Sequence, residues 1–412
     1  MSPQTKPVKK MNKHLKSWRN YLVTTAAFFL AFQNVSAQTS DSIPFLFRGY
    51  NRGHLYIPVT INDSIHCNVV FDTGASDLFG VDSVFLAHSG WKPQNFYNAR
   101  TGGTAGNTMV KIIADQTKIN IGNIEDYYGS VLIMQLRNAV SCHADGILGI
   151  KNIADYPFEI NFEHKYLKQI KSGKPDTKDY IKVPIQYKGN RIMLQAAITI
   201  GGKTIKGWYL MDTGSGGSVD FTAQTVKQYG LNTVSGKRYI TDVAQLGIGD
   251  KTQEWQVDMM PDRIVIGNDT LKGVPVSYFP EGAGAFSNRP YVGVIGNGVW
   301  SKYNIIIDVK NSMLYLHRFN SESLQKPTYD YRFKNRTDIG KGWVVASLVR
   351  DGDAANARME LGDVITAING KNVADYSWEE ECDVEFLSMQ EIDIIGSDGC
   401  EKHITLEPKN RW

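Results

Sequence analysis

The sequence FDTGA at residues 71–75 recurs as MDTGS at residues 211–215. Both copies follow apolar runs that are typical of β-strands. Three further matches follow in the same order: KINIGN (118–123) with RIVIGN (263–268), GILG (146–149) with GVIG (293–296), and INF (160–162) with IDV (307–309). The offset between copies grows only from 140 to 147 residues. The chain therefore contains an internal duplication.

This duplication predicts two similar lobes, at residues 45–178 and 179–320, with Lys171–Asp179 as the connector. Short runs rich in Val, Ile and Tyr, separated by Gly and Asn, predict a mostly β fold. Short helices are expected after each aspartate, at Val81–His88 and Thr222–Tyr229. A chain of 412 residues has room for two or three domains.

The two Asp-Thr-Gly motifs resemble those of the aspartic peptidases of the pepsin and retropepsin type. In that family each lobe also carries two hydrophobic residues and a glycine, here Ile147-Leu148-Gly149 and Val294-Ile295-Gly296. The resemblance covers roughly residues 45–320. It implies a two-lobed pepsin-like fold, an aspartic endopeptidase, a polypeptide substrate and a catalytic pair formed by Asp72 and Asp212.

Paired carboxyl groups suit this chemistry. Two carboxylates within hydrogen-bond reach cannot both ionise cheaply, so they share a proton and act as base and acid. The base activates a water molecule and the acid protonates the carbonyl oxygen, which requires neither a metal nor another cofactor. The eight histidines are scattered singly. His143 either lies near the site or is an ordinary packed or surface histidine.

Residues around each aspartate have expected supporting roles. Gly74 and Gly214 let each loop approach its partner, because a Cβ atom would obstruct it. Thr73 and Thr213 are expected to hydrogen-bond across the pair. Side-chain hydrogen bonds to the carboxylates are expected from two further residues, Ser76 and Ser215.

A mobile hairpin should close over the substrate. The glycine-rich run at residues 101–106 makes Gly102, Gly103 and Thr104 the candidate flap tip, with an ordinary surface loop as the alternative. Tyr97 is a candidate flap tyrosine. The corresponding segment of the second lobe, residues 247–249, has a shorter glycine run, which suggests one dominant flap.

The C-terminal part, residues 330–412, resembles a PDZ domain of the bacterial kind. The resemblance rests on an apolar strand at residues 343–349, the segment DGDAA at 351–355, and LGDVITAING at 361–370. It implies an α+β domain that binds a peptide or protein ligand by strand addition. Gly340, Gly342 and Trp343 resemble the loop that captures a terminal carboxylate; the alternative for Trp343 is a place in the core.

The N-terminus predicts export. Residues 1–37 combine six basic residues, the mostly apolar run Tyr21–Phe32 and a Val35-Ser36-Ala37 cleavage site, which is typical of a signal peptide. A short membrane anchor is the alternative. We expect a periplasmic or extracellular protein without an integral span after signal removal. The net charge of +3 becomes −3 without this segment, and no basic patch indicates nucleic acid binding.

Export permits disulfides. Pairing within each domain predicts Cys67–Cys142 and Cys382–Cys400, with four reduced thiols as the alternative. Two other functions account for parts of the sequence. A serine peptidase built on Ser215 and His88 leaves the first Asp-Thr-Gly motif unexplained. A non-catalytic exported peptide-binding or scaffold protein retains the fold without the cleavage.

Overall fold

Buried and exposed side chains alternate along many strands of this chain. The computed structural model describes residues 41–48, 53–103, 106–140, 142–149, 151, 155–245, 252–319, 327–336 and 340–412. Within the segment 191–200, Ile192, Leu194 and Ala196 are buried, while Gln195 between them is exposed. Side chains of a strand alternate between its two faces, so one face of this segment packs into the core. The prediction of a mostly β fold is confirmed.

The strands fall into three consecutive groups. The first group is β1 (Ser42–Pro44), β2 (Leu46–Arg48), β3 (His54–Ile61), β4 (Ile65–Asp72), β5 (Phe79–Asp82), β6 (Phe96–Gly103), β7 (Gly106–Ile113), β8 (Thr117–Ile121), β9 (Ile124–Tyr128), β10 (Val131–Met134), β11 (Gly146–Gly149), β12 (Phe158–Asn161) and β13 (Tyr166–Gln169). The second group is β14 (Ile181–Lys188), β15 (Arg191–Ile200), β16 (Lys203–Met211), β17 (Val219–Phe221), β18 (Arg238–Gln245), β19 (Thr252–Met259), β20 (Arg263–Ile266), β21 (Asp269–Leu271), β22 (Val276–Tyr278), β23 (Gly293–Ile295), β24 (Tyr303–Asp308) and β25 (Met313–Arg318). The third group is β26 (Tyr331–Asn335), β27 (Trp343–Val349), β28 (Val364–Ile368), β29 (Lys371–Asn372), β30 (Gln390–Ile395) and β31 (Glu401–Leu406).

Helices are short. The α-helices are α1 (Ser83–His88), α2 (Leu136–Ala139), α3 (Ala223–Tyr229), α4 (Asn297–Trp300), α5 (Asp353–Asn356) and α6 (Trp378–Asp383), and the 3-10 segments are Leu231–Thr233, Gly284–Phe286, Val373–Asp375 and Val384–Phe386. Helices α1 and α3 lie where the sequence predicts helices. Asp82 caps α1 by accepting the N–H of Val84 at 2.9 Å, and Gly230, with φ of 59°, ends α3. In the part of the chain that the structure describes, no helix is long and apolar enough to cross a membrane.

The strand pairings of the first group recur in the second. The parallel pair β4–β11 has its counterpart in β16–β23, and the antiparallel pair β5–β11 in β17–β23. Phe71 lies opposite Leu148, as Met211 lies opposite Ile295. The hairpins β6–β7 and β18–β19 are likewise equivalent. These pairings follow the offsets of the sequence repeat.

The two halves share one sheet and one core. Strand β12 pairs with β24, and the hairpin partners β13 and β25 extend this sheet outward to β1 and β14. Phe158 lies opposite Ile307 at the junction. The shared sheet joins the halves beneath their aspartate loops, so each half presents one aspartate to the other.

Residues 327–336 and 340–412 form a C-terminal module with its own hydrophobic core around Trp343, Val345, Ile365 and Ile392. Its strands pair in the order β26–β27–β28–β30–β31. The module is continuous with the second half, because Ser347–Val349 in β27 pair with Thr241–Val243 in β18. Arg350 adds an ion pair to Asp242 at 2.8 Å.

The predicted disulfide pairing is wrong. The bridge joins Cys142 to Cys382, 240 residues apart, while Cys67 and Cys400 are free thiols. Cys67 points into the core from β4, and Cys400 is exposed in the turn between β30 and β31, so neither can reach its predicted partner. The bridge links the first half to the module rather than closing a loop within one domain.

Some expectations concern segments outside the described residues. They include the signal peptide at residues 1–37, the flap-tip residue Thr104 and the glycine segment at 247–249.

Candidate active site

Strand ends bring the two aspartates to one place. Asp72 is the last residue of β4 and lies opposite Gly149 in the neighbouring parallel strand. Asp212 follows β16 directly, and its N–H donates to the Ile295 carbonyl at 3.0 Å. Each aspartate is therefore held at the end of a buried strand by the glycine motif of its own half.

Two buried threonines connect the aspartate loops. The N–H of Thr73 donates to the Thr213 hydroxyl at 3.0 Å, and the N–H of Thr213 donates to the Thr73 hydroxyl at 3.0 Å. Each hydroxyl donates onward across the interface, Thr73 to the Met211 carbonyl at 3.0 Å and Thr213 to the Phe71 carbonyl at 2.8 Å. The predicted hydrogen bonds across the pair are present, and they satisfy groups that are fully buried.

The glycines after the threonines permit close approach. A Cβ atom on Gly74 would lie 2.8 Å from the Asp212 carboxyl carbon, and one on Gly214 would lie 2.2 Å from that of Asp72. Both distances are shorter than real contacts allow. Each glycine therefore packs directly against the opposite aspartate.

The two carboxyl groups lie close together, since each packs against the glycine of the opposite aspartate loop. Asp72 also accepts the N–H of Gly74 at 2.7 Å, and Asp212 accepts the N–H of Ser215 at 3.0 Å. Burial raises the pKa of Asp72 well above its usual value, and the charge of Asp212 raises it further. Burial also raises the pKa of Asp212, although hydrogen bonds from Asp72, Ser215 and Gly214 oppose this rise. The pair thus retains a proton more readily than isolated carboxyl groups would.

The two serines do not act as expected. Ser76 has a left-handed backbone, with φ of 54°, and its hydroxyl donates to the Gly189 carbonyl at 3.4 Å instead of a carboxylate. The repeat explains the error, because the residue equivalent to Ser215 is Ala75. Ser215 contacts the Asp212 carboxylate through its main-chain N–H rather than through its hydroxyl.

The second glycine motif of each half packs against the aspartate loop. A Cβ atom on Gly149 would lie 2.1 Å from the Ser76 carbonyl oxygen, and one on Gly296 would lie 2.4 Å from that of Gly217. Side chains are excluded at both positions. The motif predicted from the sequence therefore supports the loop from behind.

Asn297 is a site residue that the sequence analysis missed. It is fully buried, and its amide donates to the Thr213 carbonyl at 2.7 Å and the Gly53 carbonyl at 2.9 Å. This side chain joins the second aspartate loop to the first half. A polar residue directly after the second glycine motif was the available signal.

The glycine-rich segment forms the predicted hairpin. Strands β6 and β7 pair up to Gly103 opposite Gly106, with Gly102 opposite Asn107. Both strands lie beside the 3-10 segment Gly284–Phe286 of the second half, so the hairpin reaches across the space between the halves. Tyr97 lies near the base of the hairpin, where its hydroxyl contacts Ser130 at 2.9 Å. That position is too far from the tip for the suggested role of a flap tyrosine.

A groove of about 850 Å³ contains both aspartates. The first half contributes a wall that includes His54, His143 and Ile147. Burial and the nearby Arg48 and Arg137 lower the pKa of His143 to about 4, so this histidine is uncharged at neutral pH. His143 therefore lines the groove and is also packed, since its ring contacts the Arg48 guanidinium and the Tyr56 ring.

The wall from the second half is acidic. Asp220, Ser277 and Asp258 form a row across β17, β22 and β19, and the Ser277 hydroxyl donates to Asp258 at 2.6 Å. The equivalent positions of the first half are held by apolar residues and a glycine: Gly80, Leu132 and Ile112. The two halves therefore line the groove differently: the second half contributes acidic side chains where the first half has apolar residues and a glycine.

The third wall was not predicted. It consists of module residues, among them Tyr331–Asn335, Glu381 and Gln390. Trp343 does not contribute, because it is buried and stacked on Phe333 with ring centroids 4.5 Å apart. The core interpretation of Trp343 is correct. Gly340 and Gly342 have left-handed φ values of 70° and 69° in the preceding turn.

Paired carboxyl groups in an open groove are suited to acid–base chemistry on a bound ligand. Within the described ranges, no three His, Cys, Asp or Glu side chains are grouped to hold a metal ion. In comparisons with known proteins, neither a family model nor a curated protein matches the chain.

Proposed function

We propose that the protein is an aspartic endopeptidase that hydrolyses peptide bonds in polypeptides with Asp72 and Asp212. The observation that carries this proposal is the meeting of two carboxyl groups in one groove, each packed against the glycine of the opposite loop. Buried carboxyl pairs that share a proton supply an acid and a base in one site. The threonine and glycine contacts support it further, because they hold the pair in a fixed geometry.

In the proposed reaction, Asp72 holds the shared proton, since both burial and the neighbouring charge favour its neutral form. The Asp212 carboxylate takes a proton from water as the water oxygen bonds to the peptide carbon. Asp72 gives its proton to the carbonyl oxygen, which forms a gem-diol. The carbon–nitrogen bond then breaks: the nitrogen takes the proton from Asp212, and a gem-diol hydroxyl returns its proton to Asp72.

We further propose that this reaction takes place outside the cytoplasm. The Cys142–Cys382 bridge supports export, because disulfides persist mainly in oxidising compartments. The predicted signal peptide is the second support. We assign the C-terminal module, which resembles a PDZ domain, to the binding of an extended peptide.

The test compares the purified exported protein with its Asp212→Ala and Asp212→Asn variants. Each is incubated with an unfolded protein between about pH 3 and pH 8, with and without a statine-type inhibitor. Fragments should appear only with the parent protein, and the inhibitor should prevent them. Asp212→Asn is the matched control, because it preserves side-chain shape. If folded parent and variants behave alike at every pH, the peptidase proposal fails; peptide binding without cleavage would then favour a binding protein.

A further inference from the structure

Strand β26 is an edge of the module sheet. It pairs with β27, and no other described strand pairs with it. An edge strand presents main-chain N–H and C=O groups that an incoming extended chain can pair with.

Hydrogen bonds at the two ends of β26 define its orientation. Just after the C-terminal end of β26, the Arg336 N–H donates to the Gly342 carbonyl at 2.7 Å. Just before its N-terminal end, the Asp330 carbonyl accepts the Val349 N–H at 2.8 Å. In an antiparallel pair, successive residues alternate between facing the partner strand and facing away.

The register shifts at a bulge between Arg332 and Phe333. Counting the alternation from either end of β26 gives the same result. The main-chain N–H and C=O groups of three residues point away from β27: Tyr331, Phe333 and Asn335. In the described chain, no hydrogen bond reaches the main chain of Tyr331 or Phe333 from that side. The Asn335 carbonyl accepts the Asn138 amide of the first half at 3.2 Å. The outward edge therefore faces the rim of the groove.

The groove is continuous from the aspartates to this edge. Asp72, Asp212 and Tyr331–Asn335 all line the same cavity of about 850 Å³. Two contacts fix the module at this rim: the Cys142–Cys382 bridge, and the Arg137 guanidinium 4.0 Å from the Trp378 ring.

We propose that the outward edge of β26 is an extended substrate-binding site of the catalytic groove. An unfolded polypeptide cut at the aspartates would run along this edge and pair with the main chain of Tyr331 and Phe333. The proposal rests on the proposed function and specifies its substrate as an extended chain recognised through its backbone beyond the cleaved bond. Each of these two residues offers one donor and one acceptor.

Binding energy remote from the reacting bond can be used to position it. The recognised element is an internal stretch of chain, so a free carboxy terminus is not required. This distinguishes the site from capture of a terminal carboxylate by the turn at Gly340–Gly342.

The experiment uses the full exported protein and fluorescent statine-centred peptides, lengthened one residue at a time on either side. Affinity is measured by anisotropy, with free and amidated carboxy termini. Extension on one side should increase affinity on the order of tenfold or more, equally for both termini. Ester replacement of alternate amides in the extension should cancel this gain, because an ester lacks the N–H donor.

Protein variants give a second measurement. Phe333→Pro removes one outward N–H and should abolish the gain from extension, with the melting temperature recorded because Phe333 also stacks on Trp343. Thr405→Pro is the matched control: it removes an outward N–H from β31, an edge strand that does not line the groove. This variant should keep the gain.

The outcomes separate the two proposals. If the statine core binds but neither extension adds affinity, or if a free carboxy terminus is essential, the β26 site is refuted and the peptidase stands. If the core does not bind and no cleavage occurs, the peptidase proposal fails. In that case the extension peptides are tested without the statine core on the Asp212→Ala variant. Binding that is lost on ester replacement and with Phe333→Pro supports the β26 site, and no binding refutes the β26 site.

Discussion

Replacing Thr213 with valine should strongly destabilise the protein. Valine keeps the shape of threonine but lacks the hydroxyl that accepts the Thr73 N–H at 3.0 Å and donates to the Phe71 carbonyl at 2.8 Å. Both threonines are fully buried, so water cannot replace the lost partner. A buried polar group without a partner costs about 1–3 kcal/mol, so these two groups together cost about 2–6 kcal/mol. That is a large part of the about 5–15 kcal/mol by which domains are stable.

Urea unfolding of the parent, Thr213→Val and Thr213→Ser provides the assay. Serine retains the hydroxyl and should recover most of the lost free energy of unfolding, whereas valine should not. Peptide turnover should also fall with valine, because two of the four hydrogen bonds that Thr73 and Thr213 make between the aspartate loops are lost. A loss below about 1 kcal/mol for valine, or equal losses for valine and serine, would refute the reasoning.

Three further predictions concern other contacts. Cys382→Ser should lower the free energy of unfolding by about 2–5 kcal/mol, because the bridge closes a loop of 240 residues, whereas Cys400→Ser at an exposed free thiol should have no effect in the same urea titration. Asp72→Asn should raise the melting temperature at neutral pH but not near pH 3. Because the pKa of Asp72 is higher in the native than in the unfolded state, this group makes the native protein less stable as pH rises from the unfolded-state pKa towards the native-state pKa, and asparagine removes this loss. Equal effects at both pH values would contradict this reasoning. Gly214→Ala should abolish turnover because its Cβ atom would meet the Asp72 carboxyl group, while Gly129→Ala, with no atom within 4 Å of its added Cβ, should retain it; an active Gly214→Ala variant would show that the loop can move aside.

Local and repeated features were predictable from the sequence. The two Asp-Thr-Gly segments follow apolar strands, and their glycine motifs recur at a nearly constant offset, so the strand pairings of one half foretell those of the other. Helices α1 and α3 were predictable because each follows its aspartate loop with a capping side chain. The hydrogen bonds between Thr73 and Thr213 follow from the same symmetry.

Contacts between distant parts of the chain were not predictable. Cys142 meets Cys382 only because the module lies against the first half, and neither residue carries a local signal of this contact. The closeness of Ser76 to Asp72 in sequence predicts a contact with the carboxylates, but the left-handed backbone of Ser76 turns its side chain away. The acidic wall formed by Asp220 and Asp258 depends on three strands meeting side by side.

The positions of the two bridged cysteines in the sequence determine when the disulfide can form during synthesis. Cys142 is synthesised 240 residues before Cys382, and Asp212 is synthesised between them. During synthesis from the N-terminus, both aspartates therefore emerge before the bridge can form. A chain that ends early can contain both aspartates yet leave Cys142 without its partner. Formation of this bond therefore shows that residues as far as Cys382 of the module have been synthesised.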